Sequence, residues 1–118
     1  KYPMIVNIYE RKSFELHRYH NPTFYVEAGF NPSVFTSEGY FVLQPDISLE
    51  FQNPGIAAAD CIISAVKKVT ELNAVDEKHI GLMGHSFGGY ESSFIITQTN
   101  LFAASIASGA ITDLVSYY

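Results

Sequence analysis

The chain has 118 residues, 47% of them hydrophobic and only 16% charged, a balance that builds one buried core and excludes an intrinsically disordered segment. Its 7 basic residues stand against 12 acidic ones, a net charge of −5, and no dense basic cluster gives the footprint of a nucleic-acid-binding surface. A single cysteine, Cys61, excludes an internal disulfide, and no apolar run is long enough to span a membrane.

Pro3 to Tyr9 is a continuous apolar run rich in β-branched residues, as expected of a strand buried on both faces. A sequence that opens directly on a strand, KYPMIVNIY, reads as a segment excised from a longer chain. Residues 10–30 form a long aromatic-rich connection with little periodicity. Its scattered basic residues, Arg11, Lys12, His17, Arg18 and His20, read as a solvated loop and not as a phosphate site. In NPSVFTSEG, Asn31 is placed to cap a short helix, Pro32 to open it and Gly39 to stop it. YFVLQPDI predicts a second strand over residues 40–45, closed by Pro45.

Asn53 and Pro54 then open the clearest helix, with Ala59, Ile62, Ile63, Val66 and Val69 recurring at helical spacing and Lys67, Lys68 and Glu71 turned outward. Cys61 lies in that apolar pattern and reads as a small buried hydrophobe; Asn73 is the expected C-terminal cap. A third strand is predicted over 80–84, and a third helix from Ser86 to about Thr97. A fourth strand, 102–107, is built largely from small residues. Apolar strands alternating with helices predict a mostly parallel sheet covered on both faces, a three-layer α/β/α arrangement.

The segment HIGLMGHSFGGYESS, residues 79–93, contains a Gly-x-Ser-x-Gly. Chance supplies that pattern in about 4% of chains this long, so its context decides. A buried strand runs into it and a helix leaves at once, which is the arrangement of a nucleophile elbow. Such a turn strains the backbone of Ser86 and lifts its hydroxyl above the sheet edge. Gly84 and Gly88 must be small where strand and helix cross, and Gly89 adds room. The helix N-terminus favours developing negative charge beside the serine. The alternative is that Ser86 merely caps the helix beginning at Phe87. Adjacent side chains diverge in a sharp turn, so His85 reads as packing beside the elbow and not as the base. His17, His20, His79 and His85 show no coherent ligand spacing with carboxylates or Cys61. Neither a metal nor a cofactor is expected.

Around that serine, VDEKHIGLMGHSFGGYESSF resembles the catalytic-serine segment of the prolyl oligopeptidase family of serine peptidases, which have the α/β-hydrolase fold. Val75, Asp76, Ile80, Gly81, Gly84, Ser86, Gly88, Gly89 and Tyr90 fall where that family's pattern puts them. KYPMIVNIY is similar to the strand leading into the family's catalytic domain, which in the dipeptidyl-peptidase branch ends in a functional tyrosine. LFAASIASGAITDLVSYY is similar to the strand after the nucleophile helix and the segment beyond it. One departure is Gly109-Ala110-Ile111, where many members have Ala-Pro-Val.

The resemblance implies that residues 1–118 are the N-terminal portion of a peptidase domain, a partial α/β-hydrolase truncated after the strand that follows the nucleophile helix. It implies a peptide substrate cleaved through an acyl-enzyme on Ser86. The Phe87 N–H and the Tyr9 phenol would be the oxyanion donors, and Tyr117 and Tyr118 would line the pocket for the residue before the scissile bond. A buried aromatic role for Tyr9 and core packing for Tyr117 and Tyr118 are the alternatives. In this fold the acid and then the histidine follow the serine in sequence. No histidine follows Ser86, and Asp113 comes too early to be the triad acid, so both are expected beyond residue 118. By itself the fragment is expected to be inactive and to self-associate through an exposed sheet edge. An esterase, or a non-catalytic binding module, would use the same elbow on the same fold.

Overall fold

The structure, a computed structural model, describes residues 1–24 and 29–117. Its elements are β1 (Tyr2–Ile8), a short 3-10 turn (Ser13–Glu15), α1 (Pro32–Ser37), β2 (Phe41–Leu43), α2 (Pro54–Thr70), β3 (Val75–His85), α3 (Phe87–Gln98) and β4 (Ala104–Ser108). The strands form one sheet in the order β2-β1-β3-β4, and every neighbouring pair is parallel.

The chain path explains the layers. From β1 it steps outward to β2, then returns across β1 to β3 and continues to β4. Right-handed crossovers therefore carry α1 to one face and both α2 and α3 to the other. α2 and α3 pack on each other, closely enough that a Cβ on Gly55 would lie 2.9 Å from the Phe94 ring and 3.0 Å from the Tyr90 hydroxyl.

The core fills the space under α2 and α3. Met4, Val6 and Ile8 alternate along β1 and are buried, as are Ile80 and Leu82 of β3. α2 adds Ala58, Ala59, Ile62 and Val66, and α3 adds Ile95. Each fully buried large aliphatic contributes roughly 1.5–3 kcal/mol, so this cluster fixes how α3 sits on the sheet. Cys61, on the edge of the α2 stripe, is only half-buried.

Several boundaries differ from the sequence expectation. β3 starts at Val75, because Tyr2 pairs with Val75 before a register shift brings Met4 opposite Ile80. The polar run Asp76–His79 hides that start. β1 stops at Ile8 and leaves Tyr9 beyond the strand, β2 covers only Phe41–Leu43, and β4 starts two residues later and ends one residue later than expected. Asn31 caps α1 by accepting from the Ser33 N–H at 3.0 Å, whereas Asn53 occupies the cap position of α2 without a side-chain hydrogen bond. α2 ends at Thr70, and Asn73 then takes a left-handed φ of 58° that turns the chain toward β3.

Candidate active site

Ser86 joins β3 directly to α3 with φ 57° and ψ −118°. Among the described residues only Asn73 and Ser86 are non-glycine residues with positive φ, a conformation that surrounding contacts must impose. Those contacts are visible. The Ser86 N–H donates to the Ser108 carbonyl at 2.8 Å, and the Ser86 carbonyl accepts from Gly89 at 3.0 Å and Tyr90 at 3.2 Å. The Ser86 side chain makes no capping hydrogen bond to α3. The capping role is thus not what holds this serine here.

Three glycines make the turn possible. A Cβ on Gly84 would run into the backbone carbonyl of Gly88, and one on Gly88 would run into the carbonyl of Ile8. A Cβ on Gly89 would lie 2.8 Å from that of Ala110 and 3.0 Å from the Ser108 carbonyl. The Ser92 hydroxyl donates to the Gly88 carbonyl at 2.8 Å and ties the first turn of α3 internally. Strand, elbow and helix are therefore in backbone contact.

β1 and β3 are neighbours whose outgoing connections cross to opposite faces, so a crevice opens at their C-terminal ends, the usual ligand position in open parallel sheets. Ser86 follows β3 and Tyr9 follows β1, which places both residues there. Gly88 bridges them, since a Cβ on it would be 3.3 Å from the Tyr9 Cα. Tyr9 is 40% exposed, so its ring is not part of the core. The Phe87 N–H belongs to the first helical turn, which has no intrahelical acceptor. The Phe87 ring lies 5.4 Å from that of Tyr90, the first step of an aromatic row continuing to Phe94.

His85 turns toward β4: its Nδ1 is 3.2 Å from the Ser108 hydroxyl. Gly109 lies beside that ring with φ 54°, and a Cβ there would be 3.1 Å from His85 Cε1. The departure from Ala-Pro-Val thus coincides with a left-handed backbone that glycine adopts readily. Asp113 accepts from the Val115 N–H at 2.9 Å, and that bond, with others from Ser116, holds its carboxyl below the usual range. It serves a local turn. Tyr117 is exposed, and Tyr118 lies outside the described residues. No group of three or more His, Cys, Asp and Glu among the described residues is arranged to hold a metal ion.

Sequence reasoning missed two features. Glu91 is completely buried, and neither carboxylate oxygen has a hydrogen-bond partner. Its place on the Gly88, Ser92 and Ile95 stripe of α3 was the available signal. The second is a cavity of about 320 Å³ between the segments following β1 and β2, lined by Glu10, Arg11, Phe14, Ile47, Ser48 and Leu49.

A strained serine between the central strand and helix of a parallel sheet, at the switch point, defines the α/β-hydrolase class. The sequence model of the prolyl oligopeptidase family matches residues 26–118, and the chain belongs to that family. The prolyl endopeptidase FAP sequences of Bos taurus and Homo sapiens are 34% identical over 68 residues, 57% of this chain and 9% of theirs. The peptidase YuxL of Bacillus subtilis is 26% identical over an alignment that covers 99% of this chain and 18% of that protein. An acylaminoacyl peptidase solved with Z-Gly-Gly-Phe-chloromethyl ketone superposes with a TM-score of 0.73 at 22% identity, over 98% of this chain and 20% of its own. A puromycin-hydrolyzing peptidase of Mycobacterium tuberculosis gives the same TM-score and identity, over 98% and 18%. The chain thus spans no more than a fifth of the length of these relatives.

Proposed function

We propose that Ser86 is the nucleophile of a serine peptidase to which this chain contributes the elbow half of the catalytic domain. The observation that carries the reading is the strained Ser86, whose hydroxyl is not spent on capping the helix that follows it. In the proposed reaction the Ser86 oxygen attacks the carbonyl carbon of a peptide bond. Its proton passes to a histidine supplied from outside these 118 residues and then to the leaving amine. Water afterwards cleaves the acyl-enzyme by the same route.

The developing oxyanion would be met by the Phe87 N–H and the Tyr9 phenol. The position of Phe87 at the start of α3 and the contact of Gly88 with the Ile8–Tyr9 backbone support that pairing. Tyr117 and Tyr118 are proposed as walls of the pocket for the residue before the scissile bond. Aromatic walls suit proline or another compact apolar side chain, in keeping with the name of the FAP relatives.

In the intact protein, Ser86→Ala is expected to lower peptide hydrolysis by about 10⁴-fold or more and to abolish labelling by an organophosphonate probe. Retained hydrolysis in Ser86→Ala would end the assignment. The isolated 118-residue chain, lacking the base, is expected to show no peptidase turnover and only slow, sub-stoichiometric labelling. We also propose that the isolated chain self-associates along β4, four of whose five residues are exposed. A monodisperse monomer by light scattering at high concentration would refute that.

A further inference from the structure

Gly88, Glu91, Ser92 and Ile95 follow one another at helical spacing, and all four are buried. They form the stripe of α3 that rests on the sheet. At its upper end Gly88 touches the Ile8–Tyr9 backbone and is tied to Ser92. Glu91 is the next residue along that stripe, one turn past the nucleophile. It has no exposed surface, and both of its carboxylate oxygens lack partners. An ionised carboxylate cannot be accommodated there without a compensating charge, whereas a protonated one costs far less to bury.

Among the described residues the surrounding elements bring no compensating cation to it, and Arg11, next to Glu10, is exposed. From the end of β1, Glu10 bears on Glu91 with a like charge. The charged side chains of α2, namely Asp60, Lys67 and Lys68, are exposed. Those of β3, Asp76 to His79, cluster at its N-terminal end, far from the elbow, and His85 is exposed and turned to Ser108. β4 carries no charged residue. Burial first, and the Glu10 charge second, push the Glu91 carboxyl up to about 8.

We propose that Glu91 is a positioning residue, an uncharged carboxylic acid that keeps α3 seated on the C-terminal end of β1 and whose ionisation loosens the elbow from Tyr9. Its effect on activity rests on the reading of Ser86 and Tyr9 given above; its effect on stability does not. The sign follows from linkage. Between the ordinary value of 4.5 and about 8 the folded protein keeps a proton that the unfolded chain has released. Stability from this group therefore falls as pH rises through that window and levels off above it.

The test uses the intact protein, comparing wild type with Glu91→Gln, Glu91→Met and Glu10→Gln. In wild type, the melting temperature is expected to decline between pH 5 and 8, and kcat/KM to fall about tenfold by one pH unit above the carboxyl's value. Glu91→Gln and Glu91→Met should both remove the decline and the alkaline fall. Glu10→Gln should bring the alkaline fall and the upper end of the melting decline to lower pH, because it removes the like charge from the folded protein. A wild-type melting temperature that is flat from pH 5 to 8, or an alkaline fall that persists in either Glu91 variant, would overturn the proposal. So would destabilisation of Glu91→Gln at every pH, since that would mean Glu91 is an ionised partner of a cation. An active Ser86→Ala protein would refute the nucleophile reading alone and leave the melting series to decide Glu91.

Discussion

The elbow and the connection from β1 to α1 are adjacent in space and are held by different means. At the elbow, backbone meets backbone: Gly84 lies against Gly88, Gly88 against Ile8, and the Ser86 N–H is bonded to Ser108. In the connection, side chains reach to backbone across long stretches of sequence. Asp46 Oδ1 accepts from the N–H groups of Lys12 at 2.6 Å and Ser13 at 2.8 Å. The Asn31 amide donates to the carbonyls of Asn21 and Thr23. Phe14, Leu16 and Tyr19 stay more than three-quarters exposed, so these three side chains add little apolar burial to those bonds. The first arrangement tolerates almost no added atom. The second can lose a bond and keep its neighbours.

Adding a single methyl group at the elbow should therefore have the largest effect on stability. Gly84→Ala puts a Cβ into the Gly88 carbonyl, and neither backbone can move without lifting α3 from the sheet. A loss of about 3 kcal/mol or more is expected from chemical denaturation. A variant as stable as wild type would mean that the contact between β3 and α3 is looser than the elbow requires.

That contrast also explains what could be read in advance. The glycine spacing around Ser86, the apolar runs of β1 and β3 and the periodicity of α2 are local patterns, and each predicted its element. The start of β3 was hidden because Asp76 to His79 show no apolar alternation, although Tyr2 pairs with Val75. The tie from Asp46 to Lys12 and Ser13 spans 34 and 33 residues and leaves no local pattern. Glu91 resembles a surface acid when read by residue type, and only its spacing from Gly88 and Ile95 places it against the sheet.

Tyr9 lies where the two regions meet, as the first residue of the connection and the neighbour of Gly88. If its phenol is an oxyanion donor, Tyr9→Phe in the intact protein should lower kcat by about 10²-fold or more, with a smaller change in KM. Its exposure predicts little change in melting temperature. An unchanged kcat would remove Tyr9 from the oxyanion site and leave the Phe87 N–H in that role.

A smaller effect is expected at Gly109, where φ is 54° and the His85 ring lies alongside. Gly109→Ala should cost about 1–2 kcal/mol through the left-handed backbone, read as a lower denaturation midpoint at unchanged slope. A neutral result would show that residues after β4 shift freely without disturbing the hold of Ser108 on Ser86.

The smallest effect belongs to the connection itself. Asp46 is exposed, and hydrogen bonds from the Ser13 side chain, then from the Ser13 and Lys12 N–H groups, hold its carboxyl below the ordinary 3.8. Because the folded form favours the carboxylate, the stability it contributes is present above 3.8 and is lost as pH falls through the lowered value. Hydrogen exchange at the Lys12 and Ser13 amides should then be slow near neutral pH and lose protection in strong acid. At neutral pH protection should decline from wild type to Asp46→Asn, which keeps an acceptor without charge, and further to Asp46→Ala, which keeps neither. The Gly89 and Tyr90 amides, bonded to the Ser86 carbonyl, should exchange alike in all three. Equal protection of Lys12 and Ser13 in Asp46→Ala would mean that something other than this carboxylate holds the connection. Faster exchange at Gly89 in that variant would mean that the connection and the elbow open together.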